Sequence, residues 1–284
     1  MKYLGSKRRF RPYILPILQN IIDIHRVKYY IEPFVGGANI IDSIICKKRI
    51  GIDNNIYLIE LLKAQQSGKI GKKKSKEIAL PPNLFRQHYN DVRNTYNILK
   101  GKRIPVGEIE KYNIENLLKL YPLWYIGAIG FFGSRSGRFF DGGYAKNVGY
   151  RDYYNESRRN LINQNLDNID FICGDYSLEW DYGLYTGAKG ERLYYCDPPY
   201  FRMNEKYYDR HGLDYDKFWK WVRVKSKDYF VVVSETVAPN DFKPIWIYDM
   251  PKSLKPKPDW EIEKLYVYNR GRLYKSLKNK GGLK

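Results

Sequence analysis

The residues best placed to do chemistry are Asp197-Pro198-Pro199-Tyr200, which follow the apolar run 192–196. That run reads as a buried strand, and in open α/β sheets ligands bind beyond the carboxyl ends of strands. Two successive prolines neither extend a helix nor donate to a ladder, so the turn is stiff. It offers one carboxylate (Asp197), one carbonyl from a proline (Pro198) and one phenol ring (Tyr200) around a common point. The set suits a planar ring carrying an exocyclic amine: carboxylate and carbonyl accept the two N–H bonds, and the tyrosine stacks on the ring. The competing reading is an ordinary strand-ending loop, in which Tyr200 is one of 28 tyrosines and only packs.

A second constellation lies near the amino terminus. Residues 28–32 read as a strand, followed by Pro33-Phe34-Val35-Gly36-Gly37 and an apolar stretch, 38–46, expected to be helical. A glycine pair between strand and helix lets the backbone approach a ligand closely. The spacing is not G-x-G-x-x-G, so no pyrophosphate cradle is implied. The next short strand, 49–53, ends in Asp53, where an acid can accept hydrogen bonds from ribose hydroxyls.

These stretches resemble the DNA adenine-N6 methyltransferases of the Dam type (the D12 class, alpha group). Lys2-Tyr3-Leu4-Gly5-Ser6-Lys7 is similar to the family's amino-terminal segment, 32–37 to its cofactor loop, and Asp197 to Tyr200 to its catalytic motif. The resemblance implies S-adenosylmethionine as methyl donor, with Tyr3, Lys7, Phe34, Gly36, Gly37, Asp53 and Asp197 around it. Asp175, in the Gly174-Asp175-Tyr176 that ends the strand read from 169, resembles the family's acid near the donor's adenine. Tyr3 departs from the tryptophan of many members, and Ala38 stands where a third glycine is common. The chemistry implied is direct transfer to adenine N6, the base flipped out of the duplex, with no covalent enzyme intermediate.

Composition narrows the partner. Lysine and arginine exceed aspartate and glutamate by 19 in 284 residues, which points to a polyanion, and nucleic acid over a membrane surface. The chain has no apolar run of about 18 residues and no signal-peptide pattern, so a cytoplasmic protein is expected. Three scattered cysteines, Cys46, Cys173 and Cys196, read as reduced core residues, and three histidines form no metal-ligand spacing, so no metal is expected.

The elements that must hold these residues are α/β. A mixed, mostly parallel, seven-stranded Rossmann-like sheet is expected, with a mainly helical DNA-recognition domain inserted. The boundaries are 1–57 and 152–284 for the methyltransferase domain and 58–151 for the insert. Within the insert, Lys72, Lys73 and Lys74 suit phosphate contacts, and helices are expected at 84–97 and 116–129. Residues 131–143 pair aromatic residues around a Gly/Ser/Arg tip, a hairpin from which Arg135 and Arg138, with Phe139 beside them, reach base edges. Lys2 is a further expected DNA contact. The alternative for this segment is a glycine-rich loop over the cofactor pocket. A closing hairpin is expected from 245–250 and 264–269, and the basic tail is a further candidate for the polyanion. Double-stranded DNA is the expected partner of a monomer or weak dimer, with a companion restriction nuclease possible. Alternatives are a same-fold RNA or protein amide methyltransferase, and a catalytically silent DNA-binding homologue.

Overall fold

The computed structural model describes residues 1–70, 79–100, 114–146, 152–177, 189–199, 213–251 and 260–279. Tyr200, Lys72, Lys73 and Lys74 lie outside them.

Among the described residues seven strands form one mixed sheet: β1 (Tyr29–Glu32), β2 (Lys48–Asp53), β3 (Ile169–Cys173), β4 (Arg192–Cys196), β5 (Phe230–Glu235), β6 (Phe242–Pro251) and β7 (Trp260–Tyr268). Their order is β3-β2-β1-β4-β5-β7-β6. β1 runs parallel to β2 and β4, and β4 parallel to β5. β7 is antiparallel to both β5 and β6, which is the expected closing hairpin. Every residue of β4 and β5 is buried, as befits parallel strands covered on both faces.

The helices are α1 (Arg11–His25), α2 (Ile56–Gln66), α3 (Arg86–Leu99), α4 (Ile114–Leu120), α5 (Leu123–Phe132), α6 (Tyr153–Ile162), α7 (Tyr215–Asp228) and α8 (Arg272–Asn279). α1 buries Ile14, Leu18, Ile21 and Ile22, the i, i+4, i+7, i+8 stripe of an amphipathic helix. α2, α6 and α7 start on side-chain caps from Asn55, Asp152 and Asp214, each satisfying N–H groups that the first turn leaves without partners.

By compactness the chain falls into two units. The first comprises Met1–Arg11, Gly36–Ser43 and Asp53–Cys173; the second comprises Pro12–Val35, Ile44–Ile52 and Gly174–Lys284. The first is built on α5, buried at every residue but Leu123. A Cβ on Gly127 would fall 2.2 Å from the Tyr57 carbonyl oxygen, so α5 meets α2 almost backbone to backbone. Tyr57, Tyr96, Phe131, Phe139 and Phe140 pack ring on ring beside that contact.

Four expectations are corrected. Residues 38–46 hold a single 3-10 turn, Ile41–Ser43, not a helix. Ala38 adopts a left-handed φ of 54°, and the Gln19 amide engages both the N–H and the carbonyl of Ile45 at 3.0 Å, taking groups a helix would use. The helix expected at 116–129 is two, α4 and α5, broken at Tyr121-Pro122. Proline has no N–H to donate and pushes its predecessor out of helical dihedrals. The hairpin expected at 131–143 is instead the end of α5 followed by a tight loop with a 3-10 turn, Arg135–Gly137, closed by a single Ser134–Tyr144 bridge. Cys173 is exposed and Cys46 half-buried, so only Cys196 is a core thiol.

Candidate active site

In the first unit the glycine loop is pressed onto the amino-terminal segment. A Cβ on Gly36 would stand 2.8 Å from Tyr3 Cε1, and one on Gly37 would stand 2.6 Å from Asn39 Nδ2 and 3.0 Å from Tyr3 Cβ. Gly36 also has φ +47°, a region costly for residues with a side chain. The glycines thus make room for Tyr3, whose ring lies 5.7 Å from Phe131. Asp53, at the end of β2, accepts from Gly36 N–H at 3.2 Å through Oδ2 and from Asn55 N–H at 2.9 Å through Oδ1. Burial pushes its carboxyl up to about 6, against the lowering effect of those two N–H groups. Each oxygen retains a lone pair, so the carboxylate fits a ligand that brings hydroxyl donors.

Gln164 was not legible as a site residue, yet it clamps this loop. Its Nε2 donates to the carbonyls of Gly37 and Ala38, each at 2.9 Å, and its Oε1 accepts from the Met1 amine at 3.0 Å. Asn39 adds a bond from Nδ2 to Ser6 Oγ at 2.9 Å. A glutamine in a polar stretch between α6 and β3 carries no motif; only the fold shows that it meets residues far away in the chain.

The other expected residues of this unit are placed as follows. Lys7 is buried in the 3-10 turn Lys7–Arg9. Lys2 pairs with Glu156 at 2.7 Å and lies over the Tyr153 ring. Arg135 is exposed and Arg138 half-buried. Phe139 packs 4.9 Å from Tyr96 and 4.8 Å from Phe131 rather than projecting from the loop. That loop is pinned by Ser134, whose Oγ accepts from Phe140 N–H at 3.0 Å and bonds Tyr89 OH at 2.9 Å.

In the second unit, Asp197 and Pro199 are half-buried and Pro198 buried at the carboxyl end of β4. Cys196, just before them, is fully buried. That burial, then the charges of Asp197 and Glu32, push its thiol far above the usual range, so it is no nucleophile. Phe34 stacks 5.3 Å from Tyr176 and meets Phe218 edge-on at 5.7 Å, forming an aromatic wall after β1. Asp175 is exposed and accepts from the Ser177 N–H at 2.9 Å in a local turn. A further unforeseen acid is Glu235, fully buried at the end of β5, the strand parallel to β4. It accepts from Thr236 Oγ1 at 3.1 Å and Tyr215 OH at 3.4 Å. In sequence, Ser-Glu-Thr looks like a polar strand end.

No group of three His, Cys, Asp or Glu among the described residues could hold a metal ion. No helix among them is long and apolar enough to cross a membrane.

The model of the D12 class N6 adenine-specific DNA methyltransferases matches residues 3–240. The type II methyltransferase M.MjaIII of Methanocaldococcus jannaschii is 23% identical over 215 residues, covering 72% of this chain and 70% of that protein. The matched span takes in both the glycine loop with Asp53 and the Asp197-Pro198-Pro199 turn, and this chain belongs to the family of D12 class N6 adenine-specific DNA methyltransferases.

Proposed function

We propose that the enzyme transfers a methyl group from S-adenosylmethionine to N6 of an adenine swung out of duplex DNA, in one in-line step. The observation carrying this reading is the stiff Asp197-Pro198-Pro199 turn at the carboxyl end of the fully buried strand β4. Adenine N6 is a poor nucleophile because its lone pair is delocalised into the ring. The Asp197 carboxylate and the Pro198 carbonyl, by accepting its two N–H bonds, favour a more tetrahedral nitrogen with its lone pair aimed outward. Asp197 need not be a strong base, since the proton becomes acidic only once the nitrogen is methylated. Tyr200 is assigned the stacking face for the base.

When bound, S-adenosylmethionine supplies a methyl group already activated by the sulfonium charge. The residues present fit it: the Asp53 carboxylate can accept from ribose hydroxyls, and the Phe34 ring offers a face for the purine. Tyr3, Lys7, Gly36, Gly37 and Asp175 complete the proposed set. Arg135 and Arg138 are assigned to base edges, and Lys2, Lys72, Lys73, Lys74 and Phe139 to the DNA around them, within a recognition segment at 58–151. No step is assigned to a metal.

The test incubates the purified chain with duplex DNA and labelled donor, then resolves the digested nucleosides by mass spectrometry. N6-methyladenine in the wild type and its loss in Asp197→Ala is the expected result. Label on cytosine N4, or undiminished transfer by Asp197→Ala, overturns the reading.

A further inference from the structure

The second unit carries a ring of cations at the end of the sheet opposite Asp197. Lys28 leads into β1, Lys47 into β2, Lys189 into β4 and Lys227 into β5. β7 runs antiparallel, so Arg270 and Arg272, which follow it, arrive at the same end. All six are exposed.

Backbone and side-chain contacts knit these positions into one rim. Lys28 N–H and Tyr29 N–H donate to the Glu191 carbonyl at 2.9 and 3.0 Å, and Lys48 N–H donates to the Lys28 carbonyl at 3.0 Å. Gly190, at φ +85°, abuts the Arg272 guanidinium, where a Cβ would fall 2.6 Å from Nη2. That guanidinium lies 5.6 Å from the centre of the Phe230 ring. α8 extends the rim: it buries Leu273 and exposes Lys275 and Lys278.

Solubilising lysines normally come mixed with acids. Here Glu191 pairs with Lys28, Asp228 with Lys189 at 2.9 Å, and Asp241 with Arg223 at 2.6 Å. Asp23, also at this end of the second unit, is exposed and accepts from the Gln19 amide. The exposed cations of the rim outnumber these acids, so the rim repels itself, and a bound polyanion relieves that repulsion. Strands of four to six residues span about 13–20 Å, so the rim and the catalytic end are separate faces.

We propose that this rim is a second DNA-contacting surface, holding the phosphates of a duplex segment other than the one being methylated. It contacts backbone and reads no sequence. Its role is to retain long DNA between encounters with target sites.

The test uses the full chain and the triple variant Lys227→Ala/Lys275→Ala/Lys278→Ala, with the triple Lys→Arg variant as charge-preserving control. Methylation of a target-bearing duplex just long enough for full activity is expected to be unchanged in both variants. Affinity of the alanine variant for long non-target DNA is expected to fall about tenfold or more. Its slope of log affinity against log salt is expected to shrink by about 2–3, near 0.9 per lost phosphate contact, while the arginine variant keeps both. Unchanged affinity and slope on long DNA overturn the proposal. So does loss of short-duplex methylation at an unchanged thermal midpoint, which would assign the rim to the catalytic duplex. Weakened binding of a structured RNA with duplex binding intact overturns the assignment to DNA. An inactive wild type on the short duplex is a failure of the methylation reading and leaves the long-DNA comparison standing on its own.

Discussion

Asp53 shows how one carboxylate links structure to pH. Its folded value of about 6 lies above its ordinary 3.8, so folding favours the protonated form. Through this group, stability falls as pH rises from about 4 to about 6 and is level above that. Hydroxyl donors prefer the ionised carboxylate, so donor affinity measured by calorimetry is expected to weaken as pH drops below about 6. Asp53→Asn should remove that step and weaken the donor about tenfold or more at pH 7, the loss of one charged hydrogen bond at roughly 1.5–3 kcal/mol. A variant that keeps the wild-type pH profile would reduce Asp53 to a strand-end acid. Asp197→Ala is expected to lower methyl transfer about a hundredfold or more with the thermal midpoint held, donor binding being measured separately. Gln164→Met, which keeps the length but removes the donor amide, leaves the Gly37 and Ala38 carbonyls without that partner. Each costs about 1–3 kcal/mol if left bare, so both the midpoint and the donor affinity should fall, with kcat changing less than KM. Equal loss in kcat and KM would argue against a role in positioning the loop.

At the scale of elements, the first unit depends on how closely α5 approaches α2. Gly127→Ala forces a methyl onto the Tyr57 carbonyl and should cost about 1–3 kcal/mol or more in urea unfolding. An unchanged midpoint would mean that the two helices can separate freely. The loop at 134–144 is stiff for a different reason: Ser136, Gly137, Phe140 and Gly143 all take positive φ, and Ser134 and Tyr144 tie it down. Such a loop can present Arg135 in one orientation. Arg135→Ala is therefore expected to relax the sequence profile of methylation across randomised duplexes, at about 1–3 kcal/mol for the preferred site. An identical profile moves the reading role elsewhere. Sequence periodicity located α3 because its apolar stripe is a local signal. It failed at 38–46, where a far side chain, Gln19, satisfies the backbone in place of a helix.

Over the whole molecule, the excess of 19 positive charges has consequences independent of any motif. Binding to non-target duplex should fall steeply and linearly on a log–log salt plot, and a flat plot would separate the charge from DNA binding altogether. The sequence by itself determined the family, the mixed seven-stranded sheet and the order of its signature residues, because short motifs and strand hydrophobicity survive without knowledge of distant contacts. It also marked Asp53 and Asp197 as strand-end acids. Only the tertiary structure decided that the glycine pair yields space to Tyr3, that Gln164 holds the loop, that Glu235 is buried one strand from Asp197, and that scattered lysines and arginines converge on one rim. Each of these depends on groups far apart in the chain being brought within hydrogen-bonding or van der Waals distance, and no local pattern encodes that.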